Sequence, residues 1–199
     1  IGSLTEMGTI RLGKRTDARV PAIRDFVPLA SLDDIVFGAW DPFPDDAFVA
    51  AQRAGVLESG RHVEPIADDL RAVVPMPAAF DPDYVKRLDG PNVKDRADKR
   101  AMLEGIRADI AAFKEKNLLE RVVMIWCGST EVFIEPKPVH ETIEAFELGL
   151  LENDPDISPS MVYAYAAIKT GTPFANGAPN LTCDTPALIE LAKREGVPI

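Results

Sequence analysis

The chain has few of the side chains from which metal centres and disulfide frameworks are built. Its 199 residues include two cysteines and two histidines. Cys127 and Cys183 stand apart, with neither the paired spacing of a zinc site nor the density of a disulfide-stabilised domain. Because His62 and His140 are the only histidines, the sequence predicts no metal centre.

Long hydrophobic runs and excess positive charge are also missing. A membrane-spanning helix needs about 18 consecutive apolar residues, and neither such a run nor a signal-peptide pattern is visible, so the sequence predicts a cytoplasmic protein. The formal net charge of −10 would repel a nucleic-acid backbone or an anionic membrane. The net charge does not exclude a phosphorylated small molecule, because the binding of such a ligand depends on local peptide N–H groups or lysines.

The composition is that of a globular domain, with 46% hydrophobic and 27% charged residues. Short apolar runs alternate with helical patterns along the chain. Strands are predicted at residues 35–37 and 122–126, with a brief extended piece at 173–175. This alternation predicts an α/β fold with a doubly wound parallel sheet, whose strands are apolar on both faces.

Helix boundaries are predicted from capping residues. Asp45 and Asp46 open a helix that Gly55 ends, and Ser158 caps one that Gly171 ends. The second of these is apolar nearly all round and is predicted to lie inside the fold. The other predicted helices are a short one at 81–88, a long amphipathic one containing Leu103, Ile106, Ile110 and Phe113, and a last one from Thr185-Pro186 to Gly196.

Small or polar residues follow two of the predicted strands, where ligands bind in doubly wound sheets. Asp41 comes just after the first strand, and Cys127, Gly128, Ser129 and Thr130 come just after the second. A carboxylate in this position can hold a ribose diol. Small side chains let a flat or phosphorylated ligand approach the backbone, so both segments are candidate binding residues.

Simpler interpretations of these residues stay open at this point. Asp41 can be a turn former, Cys127 a small buried residue, and Asn176-Gly177 an ordinary tight turn. The absence of a G-x-G-x-x-G sequence argues by itself against dinucleotide binding. The residues most simply interpreted as surface are His140, Lys114, Glu115, Lys116, Glu131 and Glu135, and the two glutamates receive no weight as a general acid and base.

Six segments together resemble the myo-inositol-1-phosphate synthase family, in order and spacing, over essentially the whole chain. They are 2–5 (GSLT), 9–13 (TIRLG), 34–41 (DIVFGAWD), 126–131 (WCGSTE), 157–160 (ISPS) and 174–180 (FANGAPN). The sequence at 126–131 resembles the bacterial form, since eukaryotic members have a Trp-Thr-Ala-Asn-Thr-Glu type of sequence there. In this chain Asn180-Leu181-Thr182 replaces the Gln-Asn-Thr pattern of those members.

The resemblance implies a Rossmann-like NAD-binding domain and an NAD-dependent isomerase. The family converts glucose 6-phosphate to 1D-myo-inositol 3-phosphate by oxidation at C5, enolisation, intramolecular aldol cyclisation and reduction, and it is commonly a homotetramer. Residues 1–170 are then the central part of the NAD-binding domain. Residues 171–199 are the start of a catalytic and tetramerisation region.

The resemblance also implies roles for individual residues. Asp41 contacts the adenosine ribose, Ala78 and Ala79 line the adenine side, and residues 127–130 line the cofactor trough. Cys127 is then a spacer, because NAD lies across the strand end. The residues assigned to NAD are Asp41, Ala78, Ala79, Cys127, Gly128, Ser129, Thr130, Asn176 and Gly177, with the last two near the nicotinamide, and Asn180 is assigned to the substrate.

A further implication is that the chain is the middle of a longer enzyme. The glycine-rich loop is expected before Ile1 and the catalytic lysines beyond Ile199, so the isolated chain is predicted to be inactive and to bind NAD weakly. Three alternatives stay open: another NAD(P)-binding oxidoreductase, a non-catalytic homologue that keeps the fold, and an unrelated nucleotide-binding module.

Overall fold

The computed structural model describes residues 26–95 and 98–199. The chain divides into two compact units, Ile1–Phe37 and Gly38–Ile199. In the first unit, the described residues contain one short 3-10 turn at Leu32–Asp34. The family-like segments at 2–5 and 9–13 lie outside the described residues. The α-helices and strands of the described residues belong to the second unit.

Four short strands in the described part of the chain form two parallel pairs. Strand β1 (Trp40–Asp41) pairs with β2 (Met76–Pro77), and β3 (Met124–Trp126) pairs with β4 (Phe174–Asn176). Parallel neighbours require a crossover connection, and here helices supply it. The α/β class and the parallel pairing predicted from the sequence are confirmed.

Six α-helices surround these strands within the described residues. Helices α1 and α2 connect β1 to β2, and α4 and α5 connect β3 to β4. Among the described helices, none combines the length and the apolar character that a bilayer span requires. The bounds are α1 Ala47–Ala54, α2 Ala67–Ala72, α3 Lys99–Lys116, α4 Ile143–Glu152, α5 Pro159–Lys169 and α6 Pro186–Glu195.

Local capping residues set the predicted helix ends. The side chain of Asp46 accepts a 2.9 Å hydrogen bond from the first turn of α1, and Ser158 accepts one of 3.4 Å from the first turn of α5. Gly55 and Gly196 follow α1 and α6 with left-handed φ angles of 61° and 67°. The predicted bounds of these helices are confirmed, because side-chain caps and glycine stops are local signals.

Helix α5 is the centre of the hydrophobic core. Its residues from Pro159 to Ile168 are all buried, as its lack of a polar face predicts. It packs against α3 and α6, while α4 packs against α3 and α6. The predicted apolar stripe of α3 is also confirmed, since its inner face, including Ile106 and Ile110, is buried.

The strand predictions are wrong in two respects. Residues 35–37 are exposed and irregular, and the first strand begins at Trp40. An apolar run becomes a strand only where a neighbour takes up its hydrogen bonds, and the described residues provide none for this run. In β3, Met124 is buried while the flanking Val123 and Ile125 are 62% and 49% exposed, so this strand is covered on one face only.

Residues 81–88 form turns and not the predicted helix. The Asp81 side chain accepts a 2.9 Å hydrogen bond from the Asp83 N–H, a local bond that competes with helix formation. The Tyr84 carbonyl accepts a 2.9 Å bond from the Val132 N–H, which removes an acceptor that a helix would use. Helix α4 was not among the predicted helices.

The boundary predicted between residues 170 and 171 falls inside the second unit. There β4 pairs with β3 and α6 packs against α5. The assignment of residues 171–199 to a catalytic and tetramerisation region stays a prediction.

Candidate functional site

Asp41 lies at the carboxyl end of the β1–β2 pair. The parallel register places it beside Pro77, so Asp41 and Ala78 are near the same edge of the two strands. Its Oδ1 accepts a 2.8 Å hydrogen bond from the Phe43 N–H, so the turn-forming role is real. The carboxylate is exposed, and within the described residues its Oδ2 has no hydrogen-bond partner. Asp41 can therefore shape the turn and still accept a hydrogen bond from a ligand.

Ala78 and Ala79 are buried, and their N–H groups are used inside the protein. The Ala78 N–H donates to the Asn92 carbonyl and its carbonyl accepts from the Lys94 N–H, at 2.9 and 2.8 Å. The Ala79 N–H donates to the Tyr163 hydroxyl at 2.9 Å. These two alanines can thus offer a ligand little more than a small apolar surface.

The second strand pair ends in the small residues predicted to bind a ligand. The register pairs Trp126 with Asn176, and the Gly177 N–H donates a 2.8 Å hydrogen bond to the Trp126 carbonyl. The structure therefore brings residues 127–130 and 176–177 together at one edge. All four residues from 127 to 130 are exposed, so Cys127 is not the buried residue of the simpler interpretation.

Residues 127–130 carry polar groups that are available to a ligand. Within the described part of the chain, no hydrogen bond involves their peptide N–H groups or the hydroxyls of Ser129 and Thr130. Unpaired N–H groups at a strand end, next to small side chains, suit a phosphate or a ribose hydroxyl.

The ends of β3 and β4 approach each other so closely that position 177 requires glycine. A Cβ there would lie 2.9 Å from the Trp126 carbonyl oxygen. At Gly128 a Cβ would lie 3.1 Å from the Trp126 ring, which lies beneath the loop. Asn176 ends β4, and its Oδ1 accepts a 3.0 Å hydrogen bond from the Ala178 N–H, which shapes the loop that follows.

Tyr163 of α5 connects the two strand ends. Its ring centroid lies 5.3 Å from that of Trp40 and 5.5 Å from that of Trp126. Each tryptophan directly precedes a candidate ligand-binding residue: Trp40 precedes Asp41, and Trp126 precedes Cys127. Burial raises the pKa of Tyr163, so its hydroxyl stays protonated over the physiological range.

Glu131 is a buried carboxylate at the N-terminus of α5, only 3% exposed. Its Oε1 accepts a 2.9 Å hydrogen bond from the Ser160 N–H. Its Oε2 accepts from the Ser160 hydroxyl at 2.6 Å and from Asn180 Nδ2 at 3.1 Å. Burial raises the pKa of Glu131, and hydrogen bonds from Ser160, Ser158 and Asn180 oppose that shift. Its interpretation as a surface carboxylate is wrong.

The amide of Asn180 points into the same polar cluster. Its Nδ2 also lies 3.1 Å from the Ser160 hydroxyl and 3.0 Å from the Thr182 hydroxyl. Its Oδ1 is buried and has no hydrogen-bond partner in the described part of the chain. A substrate role for Asn180 stays a prediction, and Oδ1 is the atom left to perform it.

Two other surface interpretations have different outcomes. Residues 114–116 are exposed, as predicted. His140 is instead fully buried. Both of its ring nitrogens have partners there, since Nδ1 accepts a 3.0 Å hydrogen bond from the Lys137 N–H and Nε2 lies 2.9 Å from the Asp156 carbonyl. Lys99, which carried no sequence signal, is buried and donates a 2.7 Å hydrogen bond to the Ile157 carbonyl.

Comparison with known proteins decides the family. An NAD-binding family model described as myo-inositol-1-phosphate synthase matches residues 1–199. The chain belongs to the myo-inositol-1-phosphate synthase family. This membership confirms NAD as the cofactor predicted from the sequence.

Members of this synthase family match along all or nearly all of the chain. Inositol-3-phosphate synthase 1 of Bacteroides thetaiotaomicron is 46% identical over 100% of this chain and 46% of its own length. Inositol-3-phosphate synthase 1 of Oryza sativa is 33% identical over 96% of this chain and 38% of its own length. The crystal structure of inositol-3-phosphate synthase from Caenorhabditis elegans superposes with a TM-score of 0.87 at 31% identity, covering 98% of this chain and 39% of that one.

These shares show that the chain spans less than half the length of the relatives it matches. The hydrogen-bond acceptors and donors at the strand ends nevertheless fit part of an NAD site. They combine an exposed carboxylate oxygen on Asp41 with unpaired N–H and hydroxyl groups at 127–130. Two segments that bear the family resemblance, 126–131 and 174–180, lie side by side at the β3–β4 edge.

Proposed function

We propose that the whole protein containing this chain converts glucose 6-phosphate to 1D-myo-inositol 3-phosphate with NAD as cofactor. The match of all 199 residues to the synthase family supports this most directly. The relatives named inositol-3-phosphate synthase, one of them 46% identical, support the same activity. Because the chain covers less than half of those relatives, the activity is proposed for the whole protein and not for residues 1–199 alone.

When bound, NAD supplies a hydride acceptor and donor at its nicotinamide ring. We infer that the chain's own residues hold the cofactor and orient it. Asp41 accepts hydrogen bonds from the ribose diol through Oδ2, while Ala78 and Ala79 present an apolar surface toward the adenine. Residues 127–130 donate N–H and hydroxyl groups, and Asn176 and Gly177 lie at the nicotinamide end. Asn180 contacts the sugar phosphate from the neighbouring loop.

The activity is tested by incubating the whole protein with NAD and glucose 6-phosphate and assaying inositol phosphate and NADH together. The expected result is product without net NADH, because an internal redox cycle returns the hydride. Net NADH would indicate an ordinary dehydrogenase on this fold. Bound NAD without turnover would indicate the non-catalytic homologue. Residues 1–199 alone are expected to make no product, as the catalytic lysines are expected outside them.

The cofactor assignment is tested with Asp41→Asn. This change keeps an oxygen that can accept from the Phe43 N–H, so the turn is retained while the charge is lost. Loss of a charged hydrogen-bond partner is expected to weaken NAD binding about tenfold to hundredfold. Asp83→Asn is the matched control, since Asp83 is exposed and is not among the residues assigned to NAD. Equal affinity of wild type and Asp41→Asn would remove Asp41 from the site.

The same family resemblance leads us to propose a homotetramer located in the cytoplasm. Sedimentation of the whole protein at several concentrations tests the assembly, and a stable monomer would contradict it. Imaging of the tagged whole protein tests the location.

A further inference from the structure

Two loops of the candidate site are tied together at both of their ends. The β3 loop (residues 127–130) begins after Trp126 and ends before Glu131, and the β4 loop (residues 177–180) follows Asn176. At one end the Gly177 N–H donates to the Trp126 carbonyl at 2.8 Å. At the other end Asn180 Nδ2 donates to Glu131 Oε2 at 3.1 Å. Strand pairing accounts for the first tie, and a single buried carboxylate accounts for the second.

The second tie is anchored to the core. Glu131 accepts both the N–H and the hydroxyl of Ser160, at 2.9 and 2.6 Å, in the first turn of α5. The amino end of a helix stabilises a negative charge, so this is a favourable place for a buried carboxylate. The Thr182 hydroxyl lies 2.9 Å from the Ser160 hydroxyl and 3.0 Å from Asn180 Nδ2. The end of the β4 loop is thereby held to the end of the β3 loop.

The hydrogen bonds at Glu131 favour a group that only accepts. Several donors converge on Glu131, among them the Ser160 N–H, the Ser160 hydroxyl and the Asn180 amide, with a further hydrogen bond from Ser158. An ionised carboxylate satisfies them all, whereas a glutamine of the same shape would direct its own NH₂ group at one of them. Helix α5 also has Ser158 as its N-cap, so the start of the helix does not depend on Glu131 alone.

We propose that Glu131 is a positioning residue that fixes the β3 loop and the β4 loop relative to each other, and so sets how NAD and the sugar phosphate meet. The link to these two ligands rests on the proposed function. The tie between the loops does not, because it is carried by hydrogen bonds within the chain. Glu131 acts through its neighbours and makes no contact with a ligand itself.

The test uses Glu131→Gln in the whole protein, with Glu135→Gln as the matched control because Glu135 is exposed. Hydrogen exchange of the Gly177 and Ala178 amides, measured without ligand, reports on the β4 loop. The dissociation constant of NAD reports on the edge that the β3 loop forms together with Gly177, and the KM for glucose 6-phosphate reports on the combined effect of both loops. All of these measurements are made at a temperature well below the thermal unfolding midpoint of each variant.

In Glu131→Gln we expect the two amides to exchange about tenfold faster and both the NAD dissociation constant and the KM to rise about tenfold. Glu135→Gln is expected to change none of them. Ser160→Ala is a second, milder variant that removes one donor and keeps the N–H, and smaller changes in the same direction are expected. It serves as the test if Glu131→Gln does not fold.

The outcomes separate the possibilities. A lowered unfolding midpoint with unchanged exchange and unchanged NAD affinity would make Glu131 a structural residue only and overturn the proposal. Faster exchange of the β4 loop with unchanged NAD affinity would also overturn it, because Glu131 would then hold one loop and not two. If wild type makes no inositol phosphate, the proposed function fails, yet the exchange and NAD measurements still decide the role of Glu131.

Discussion

The Ala79 N–H donates a 2.9 Å hydrogen bond to the hydroxyl of Tyr163, 84 residues further along the chain. Both groups are buried, so this bond has no alternative partner in water. The Tyr163 ring also contacts Trp40 and Trp126, which precede the two candidate binding segments. One side chain of α5 therefore connects the ends of both strand pairs.

Tyr163→Phe is expected to lower the free energy of unfolding by about 1–3 kcal/mol, because it leaves a buried N–H without an acceptor. Tyr165→Phe is the matched control. The Tyr165 hydroxyl donates to Glu147 at 2.7 Å in a part-buried position, where water can replace it, so a smaller loss is expected. Urea unfolding of both variants makes the comparison. Equal losses of unfolding free energy in the two variants would mean that the buried hydrogen bond from Ala79 contributes no more to stability than the part-buried one to Glu147.

Gly177→Ala is expected to separate the ends of β3 and β4. The new Cβ would lie 2.9 Å from the Trp126 carbonyl oxygen, a backbone atom that cannot rotate away. We expect a loss of about 1–3 kcal/mol in stability, as for overpacking elsewhere, together with weaker NAD binding. Gly60→Ala is the control, since nothing lies within 4 Å of a Cβ at that position. Unchanged NAD affinity in Gly177→Ala would place the cofactor away from this edge.

Features encoded within a few residues could be predicted from the sequence. Helix α5 is an example, because Ser158 supplies its cap, Pro159 occupies its first position and its apolar residues leave no polar face. The small residues after β3 were likewise predicted to be free for a ligand, and the structure shows 127–130 exposed. Their role in binding NAD is still a prediction.

Features that depend on distant partners could not be predicted in the same way. Glu131 resembles a surface carboxylate in sequence because its partners Ser160 and Asn180 lie 29 and 49 residues away. Residues 35–37 show the opposite error, since an apolar run alone does not supply a neighbouring strand. Hydropathy describes a side chain, whereas burial and pairing depend on what the fold places beside it.

The two cysteines are expected to differ strongly in reactivity. Cys127 is exposed at the tip of β3, whereas burial and the nearby Asp184 raise the pKa of Cys183, which lowers its thiolate fraction. Alkylation followed by peptide mass analysis should therefore modify Cys127 first. In the whole protein NAD should slow the alkylation of Cys127 and leave Cys183 unaffected. If Cys127 reacts equally fast with and without saturating NAD, residues 127–130 do not line the cofactor trough.

If Cys127 is only a spacer, Cys127→Ser should retain activity, with kcat close to that of wild type. The hydroxyl is similar in size to the thiol and keeps the backbone accessible. A loss of turnover greater than about a hundredfold, as for removal of a catalytic nucleophile, would show that the thiol takes part in the reaction.

Lys99 is expected to make stability depend on pH. Its side chain is 7% exposed, and burial lowers its pKa below the ordinary 10.5, with Asp81, Asp154 and Glu131 partly opposing the shift. Between the lowered pKa and 10.5 the unfolded chain holds more protons than the folded one. The contribution of Lys99 to stability must therefore rise with pH across that window, by at most about 1.4 kcal/mol per pH unit.

Lys99→Met removes the ionisable group and keeps most of the side-chain volume. The unfolding free energy of wild type minus that of Lys99→Met should increase as the pH is raised toward 10.5, the ordinary pKa of lysine. Lys114→Met, at an exposed position of the same helix, should give a difference that is flat with pH. Urea unfolding over this pH range makes the measurement. A flat difference for Lys99→Met would mean that Lys99 pays no net penalty for burial, because the Ile157 carbonyl and the nearby carboxylates fully compensate its charge.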